Sequence, residues 1–257
     1  MSPEPEALPQ ASENLKQALL NNERLQQELL QARAELEEFT QSVSHDLRAS
    51  LRHVTSYVQI VVEELGDGLK PDVAAHLQTV TQAARHMGRQ IDGLTELSRL
   101  TGVVMQWTEV DLGALVRDVR RVLAPEPPGR MIEWQMAPDV PALRGDVLML
   151  RQVLTHLFSN ALKFSAAQAV TQIEVRWQRA DDGMCVVTVT DNGVGFNPDY
   201  ASQLFHAFKR LHSPREFEGL GMGLALTRKI IERHGGTVWV TTAFKAGCSV
   251  SFTLPMA

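Results

Sequence analysis

Apolar residues recur at alternating spacings of three and four through the first part of the chain. Leu15, Ala18, Asn22, Leu25, Leu29, Ala32, Leu36, Phe39 and Val43 form a heptad seam, with Glu, Gln and Arg filling the other faces. Neither Gly nor Pro interrupts residues 15–43. The spacing therefore predicts a coiled-coil helix in preference to an amphipathic helix lying on a globular core. Asn22 is the kind of polar seam residue that fixes register. The seam continues through Leu47, Ser50, Val54, Tyr57 or Val58, Val61 and Leu65, and stops at Gly66-Asp67-Gly68, with Pro71 just beyond. Residues 1–11, rich in Pro and Glu, read as a frayed end. A second helix carries Val73, Leu77, Val80, Ala84, Met87, Ile91, Leu94 and Leu97 at the same spacings. Two such helices joined by a short turn make an antiparallel hairpin with a long apolar stripe. Two hairpins related by a two-fold axis bury that stripe as a four-helix bundle, so a homodimer is predicted.

The texture changes after a linker at 101–115. Helices are predicted over 112–123, 146–164, 199–208 and 222–233, and strands over 131–136, 171–178, 185–190, 237–242 and 249–254, with a Pro-rich loop at 124–130. Helices alternate irregularly with strands, which favours an α+β sandwich over a regularly alternating parallel sheet. The predicted fold class is thus α followed by α/β: an antiparallel helical hairpin forming a dimeric four-helix bundle, then an α+β sandwich.

Composition narrows the function. The 257 residues suffice for two modest domains, and a formal net charge of −5 argues against a protein that lives on nucleic acid or a polybasic membrane surface. Apolar runs such as 58–62 are far too short to span a bilayer, and the first residues lack a signal-peptide pattern, so no membrane span and a cytoplasmic location are expected. Cys185 and Cys248 fall in predicted strands without metal-ligand spacing and read as buried thiols in a reducing compartment.

Candidate chemistry begins at His45. It follows seam position Val43 by two residues, which rotates it off the packed face and exposes it. A neutral imidazole, with an ordinary pKa of about 6.5, is a competent nucleophile. Asp46 beside it could orient the ring or accept its second proton. An isolated His-Asp pair is more often a solvent-facing pair without a role; the motifs downstream tip the balance. His53, His76 and His86 on the same helices read as surface or flank residues.

Within HLFSNALKF (156–164), Asn160 and Lys163 share a helix face. An amide oxygen suits Mg²⁺ and a lysine suits phosphate, although a helix end with a solvated lysine has the same appearance. In DNGVGF (191–196), Asp191 could accept a hydrogen bond from an amino group such as that of adenine, and Gly193 and Gly195 permit positive φ and close approach to a ligand. Asn-Gly is equally a tight-turn signal. GLGMGLAL (219–226) sets Gly219, Gly221 and Gly223 before a helix, where free backbone N–H groups make a phosphate cradle. The sequence holds no GxxxxGK[ST] loop, which excludes a P-loop enzyme. Residues 196–218, rich in Phe, His, Pro and charge, read as a lid over a nucleotide.

Together these motifs resemble the sensor histidine kinases of two-component signalling, from about residue 36 to the end. SHDLRASLR resembles the phospho-acceptor box, with His45 as acceptor and Asp46 its acidic neighbour. HLFSNALKF resembles the asparagine box, with Asn160 as Mg²⁺ ligand. Asp191, Gly193 and Gly195 match the adenine-recognition box, Phe205, Phe208 and Arg210 the lid motif, and Gly219, Gly221 and Gly223 the last glycine box. The stretch from KRLHSPREFEGLGMGLAL to IIERHGGTVWV is especially similar to phytochrome-type kinases. The resemblance implies a dimeric hairpin joined to a Bergerat-type ATP-binding sandwich. It implies phosphoryl transfer from MgATP to His45, then to an aspartate on the receiver domain of a response regulator. The implied division is a coiled-coil signalling helix at 1–35, a dimerisation and phosphotransfer domain at 36–104 and a catalytic ATP-binding domain at 105–257. Input is expected from an upstream sensor domain or a separate sensor protein, received through the seam at 15–43.

Three positions depart from the family pattern. Ser50 replaces a proline, which weakens the expected kink after the histidine, and Ala49 replaces the Thr or Asn associated with dephosphorylating the regulator. His156 replaces the first asparagine of its box and is a poorer Mg²⁺ ligand than an amide oxygen. These departures sustain an alternative, an ATP-binding dimeric scaffold or phosphatase-biased module with little autokinase activity. A chaperone-type or DNA-repair ATPase sharing the pocket fold would lack the helical His-Asp box.

Overall fold

The computed structural model describes residues 7–123, 130–180, 182–213, 216–242 and 246–257, with side chains from residue 14 onward. Residues 1–6 and all but the last residue of the loop at 124–130 lie outside the described residues, while residues 7–11, also expected to fray, are helical. The chain divides into two compact units, Met1–Ala84 and Arg85–Ala257.

The first unit is helical. α1 (Ala7–Leu65) ends at a 3₁₀ turn, Gly66–Gly68, and α2 (Pro71–Gly102) follows. Gly66 takes φ 43, the left-handed conformation that stops a helix. Pro71 opens α2 at the first helical position, where its missing N–H costs nothing. Seam residues Leu15, Leu25, Leu29, Leu36, Phe39, Val43 and Leu47 are all exposed on the single chain, while Ser44 and Ala84 are buried. α1 runs unbroken through residue 50, where the Ser50 hydroxyl donates to the Asp46 carbonyl at 3.0 Å. The second half of α2, from Arg85, belongs to the other unit.

That unit holds β1 (Thr108–Val110), α3 (Leu112–Leu123), β2 (Met131–Met136), β3 (Leu143–Gly145), α4 (Val147–Phe164), β4 (Val170–Arg179), β5 (Met184–Asp191), a 3₁₀ segment (Pro198–Phe205), α5 (Gly223–Arg233), β6 (Val238–Thr242) and β7 (Cys248–Pro255). Five strands form one sheet in the order β2-β4-β5-β7-β6; β2 and β4 are parallel and the other pairs antiparallel. Alternation sorts its two faces. Ile173, Val175, Val187, Val189, Val250, Phe252 and Leu254 join one core with Leu115, Val119, Leu150, Val153, Leu157, Leu226 and Ile230 of α3, α4 and α5. The opposite face carries cross-strand hydroxyl pairs, Thr188–Ser251 and Thr190–Ser249, each at 2.9 Å. Cys185 is buried and Cys248 half-buried, both free thiols.

The structure corrects two sequence expectations. The linker at 101–115 contains β1, which pairs antiparallel with β3, a segment that no pattern had marked. Three residues are too few to show a period. The helix expected at 199–208 is the shorter 3₁₀ segment, entered through Pro198 with the Asn197 side chain accepting from the Asp199 N–H. Phe208 lies beyond it at φ 63.

Candidate functional site

His45 stands on α1 with its side chain 76% exposed, and its Nδ1 lies 3.2 Å from Asp46 Oδ1. With the proton on Nδ1 and directed at the carboxylate, the Nε2 lone pair is free for chemistry. Both residues belong to the first unit.

The remaining candidates belong to the second unit. α4 is firmly anchored at its start: the Asp146 carboxylate accepts from the Leu148, Met149 and Gln106 N–H groups, and the Asp146 N–H donates to His234 Nε2 at 2.9 Å. At its end the Arg130 guanidinium donates to the Leu162 carbonyl and the Thr171 hydroxyl. Between these anchors α4 presents His156, Asn160 and Lys163. Lys163 Nζ donates to Asn160 Oδ1 at 3.1 Å and sits 4.4 Å over the Phe164 ring. Burial, then the nearby Arg210, lowers the lysine pKa.

Asp191 ends β5. Its Oδ1 accepts from the Gly193 N–H at 2.8 Å, and burial pushes its pKa up to about 6 against the hydrogen bonds from Gly193 and Cys248. Cys248 stands opposite Asp191 in the β5–β7 register, and its thiol is pushed up to about 12 by burial and by that carboxylate. The loop after Asp191 is held by its own backbone. Asn192 bridges to Val170 and Gln172, and the Val194 N–H donates to the Phe164 carbonyl. Gly195 takes φ 58 as expected, but Gly193 does not take positive φ. A Cβ on Gly193 would meet the Phe164 carbonyl at 2.9 Å, so glycine at this position lets the loop pass the end of α4.

Gly219 and Gly221 take φ 143 and 74. A Cβ on Gly221 would meet the Lys209 carbonyl at 2.5 Å, and the Phe208 N–H donates to the Gly221 carbonyl, so this turn and the Phe208–Lys209 backbone are built against each other. Gly223 opens α5, whose N-cap, Met222, supplies no side-chain cap. The first-turn N–H groups are thereby left to a ligand or water. Arg210 donates to the Phe217 carbonyl, and Phe164, His212 and Phe217 form an aromatic cluster with centroids 4.9–5.4 Å apart.

These groups line one cavity of about 1230 Å³. Asn160, Lys163, Asp191, Gly195, Phe208, Arg210, Gly219, Gly221 and Gly223 all reach it; Gly193 and Phe205 do not. The sequence reading missed Cys248 at the Asp191 end and a wall supplied by α2, including Arg89, Gly93 and Glu96; His86, read as a surface residue, lines it too. Nothing in the helical period singles out those α2 positions. His156 also faces the cavity, its ring edging Gly223, with Nδ1 buried and unpartnered and burial lowering its pKa.

The donor set suits a nucleotide: one cavity brings together a carboxylate acceptor, an ammonium, a guanidinium and an uncapped helix start. Among the described residues no cluster of three His, Cys, Asp or Glu side chains could hold a metal ion. A single amide oxygen, that of Asn160, fits a Mg²⁺ ion held mainly by phosphate and water. No helix among the described residues is long and apolar enough to cross a membrane.

Residues 35–102 match the model of the His Kinase A (phospho-acceptor) domain, and residues 145–257 that of the histidine kinase-, DNA gyrase B- and HSP90-like ATPase. The chain is 34% identical over 226 residues to the methanogenesis regulatory histidine kinase FilI of Methanothrix harundinacea, covering 86% of this chain and 25% of that protein. It is 32% identical over 236 residues to cyanobacterial phytochrome A of a Nostoc species, covering 90% and 30%. The chain thus spans only a quarter to a third of these curated relatives. Among solved structures it is similar in fold to full-length ShkA in complex with AMPPNP (TM-score 0.62, 24% identity, 86% of this chain and 46% of that one). It is likewise similar to the Acinetobacter baumannii histidine kinase AdeS (TM-score 0.53, 18% identity, 80% and 97%).

Proposed function

We propose that this chain, which belongs to the sensor histidine kinases of two-component signalling, transfers the γ-phosphoryl group of ATP to its own His45. The observation that carries the proposal is the set of groups lining the one cavity. Asp191 offers an acceptor to the adenine amino group, while Lys163, Arg210 and the start of α5 offer positive charge and N–H donors to the phosphates. The exposed Nε2 of His45 attacks the γ-phosphorus, the bond from phosphorus to the β,γ-bridging oxygen breaks, and ADP leaves. Nδ1 keeps its proton against Asp46, which stabilises the positive character of the ring as the N–P bond forms. Mg²⁺, when bound at Asn160, neutralises charge on the phosphates. Gly219, Gly221 and Gly223 let the backbone close on them, and Phe208 with Arg210 forms the edge of a lid.

Onward transfer to an aspartate of a response-regulator receiver domain completes the reading. The exposed seam of α1 supports a homodimer through the hairpin, with residues 1–35 as signalling coiled coil, 36–104 as phosphotransfer domain and 105–257 as catalytic domain. The test is incubation with γ-labelled ATP and Mg²⁺ beside a His45→Ala control. Acid-labile, base-stable label that vanishes in the control is the expected result. Nucleotide binding without label would replace the autokinase by an ATP-binding scaffold or phosphatase-biased module.

A further inference from the structure

The second half of α2 is attached to the ATP-binding fold at three points on one helix face. Gly93 is buried, and a Cβ there would meet Met222 Cγ at 2.9 Å and Cβ at 3.6 Å. Glu96 accepts from Gln152 Nε2 of α4 at 3.1 Å. The Leu100 carbonyl, near the end of α2, accepts from Arg233 at the end of α5, and the same guanidinium reaches the Val103 carbonyl. Residues 93, 96 and 100 follow helical spacing, so one stripe of α2 makes all three contacts.

The Met222 contact has a functional address. Met222 is the N-cap of α5, 5% exposed, and sits between Gly221 and Gly223 in the turn read above as the phosphate cradle. Gly93 and Met222 both line the cavity, and Arg89 and Glu96 extend the α2 wall. A helix interior disfavours glycine more than any residue but proline, so Gly93 stands against the local preference of α2. The close approach of Met222 gives the reason. The atom that comes too close is Cγ, which swinging the methionine tip leaves in place, so a larger residue at 93 must turn Met222 about χ1 inside its buried site or shift the glycine turn that carries it.

Resting on the reading of this cavity as a nucleotide site, we propose that the second half of α2 is a working wall of that site, coupled to the phosphate-side turn through the Gly93–Met222 contact. A seated α2 and a bound nucleotide then stabilise each other, and by linkage each strengthens the other equally. Gly93 is a positioning residue that acts through Met222.

The test measures the affinity of a fluorescent ATP analogue for wild type, Gly93→Ala, Met222→Ala, the double variant and Gly88→Ala. Gly88 lies on the same helix with nothing within 4 Å of its would-be Cβ, so Gly88→Ala isolates the gain in helix propensity. Gly93→Ala is expected to weaken binding by roughly five- to tenfold, the lower end of coupling between sites. Gly88→Ala is expected to bind as wild type does. In the Met222→Ala background, adding Gly93→Ala should cost nothing, because the clashing side chain is gone. Wild-type affinity in Gly93→Ala, or an equal loss in both backgrounds, overturns the coupling while the nucleotide reading stands. A wild-type protein that binds no nucleotide overturns both. If Gly93→Ala unfolds while the double variant folds and binds, the clash with Met222 is established directly by the rescue.

Discussion

Replacing Asp191 by asparagine should make the unliganded protein more stable and the nucleotide complex weaker. The carboxylate is buried, and its pKa stands at about 6 against an ordinary value of 3.8. Between those values the folded chain holds a proton that the unfolded chain releases. Stability attributable to this group therefore rises as pH falls through about 6 and is missing at pH 7. A difference of about two pH units, at about 1.4 kcal/mol each, sets the strain at pH 7 at no more than ~3 kcal/mol. Asn removes the charge and hence that strain. Binding suffers for a geometric reason. Asp191 already accepts from the Gly193 N–H and draws on Cys248, and an ionised carboxylate has lone pairs to spare for a ligand amino group. Asparagine has one oxygen; satisfying Gly193 turns its NH₂ toward the ligand donor. Loss of a hydrogen bond to a charged group costs about 1.5–3 kcal/mol, so nucleotide affinity should fall roughly 10- to 150-fold. Thermal melts with and without nucleotide at neutral pH, and binding titrations of both proteins from about pH 7.5 to about 5, read both effects. The wild-type advantage should shrink below about pH 6, and comparing the two proteins cancels the titration of the phosphates. An unliganded variant that melts lower than wild type, or an advantage constant across that range, would falsify the assignment of Asp191 as a strained, charged acceptor.

Three further outcomes follow from the same geometry. His234 donates through Nδ1 to the Ile230 carbonyl and accepts from the Asp146 N–H through Nε2, so it is neutral in the fold, and burial lowers its pKa. Its share of stability should be full above about pH 6.5 and fall on acidification, opposite in sign to Asp191; His234→Gln should cost about 1–3 kcal/mol in urea unfolding at neutral pH and flatten the wild-type loss on acidification. Gly221→Ala forces a side chain onto φ 74 and onto the Lys209 carbonyl, and should cost at least about 1–3 kcal/mol or displace the Phe208–Arg210 segment, read by nucleotide affinity and by proteolysis of the lid. His156→Asn removes a buried ring nitrogen without a partner and supplies an amide oxygen one turn before Asn160, so nucleotide binding should need less Mg²⁺; an unchanged Mg²⁺ requirement would remove residue 156 from the metal's surroundings.

The long elements were legible because their periods are long. A heptad seam from Leu15 to Leu65 admits only a helix, and Gly66 ends it by taking a conformation that other residues avoid. β4 and β5 were legible as β-branched runs, although which of their faces is buried emerges only in the fold. The motif order placed Asn160, Lys163, Asp191 and the last three glycines around one cavity, since each is tied to a recognisable element end. Short elements escaped: β1 and β3 have three residues each and exist only because they pair with one another.

Local pattern determined where helices stop and which side chains carry the chemistry. Tertiary structure alone decided what those residues meet. Gly193 is required by the Phe164 carbonyl, Cys248 is the neighbour of Asp191 across a strand pair, and Gly93 is required by Met222, far along the chain. The physical reason is that period reports solvent exposure, a property of one element. A glycine's necessity or a carboxylate's pKa depends on atoms brought close by the whole fold, which no local spacing encodes.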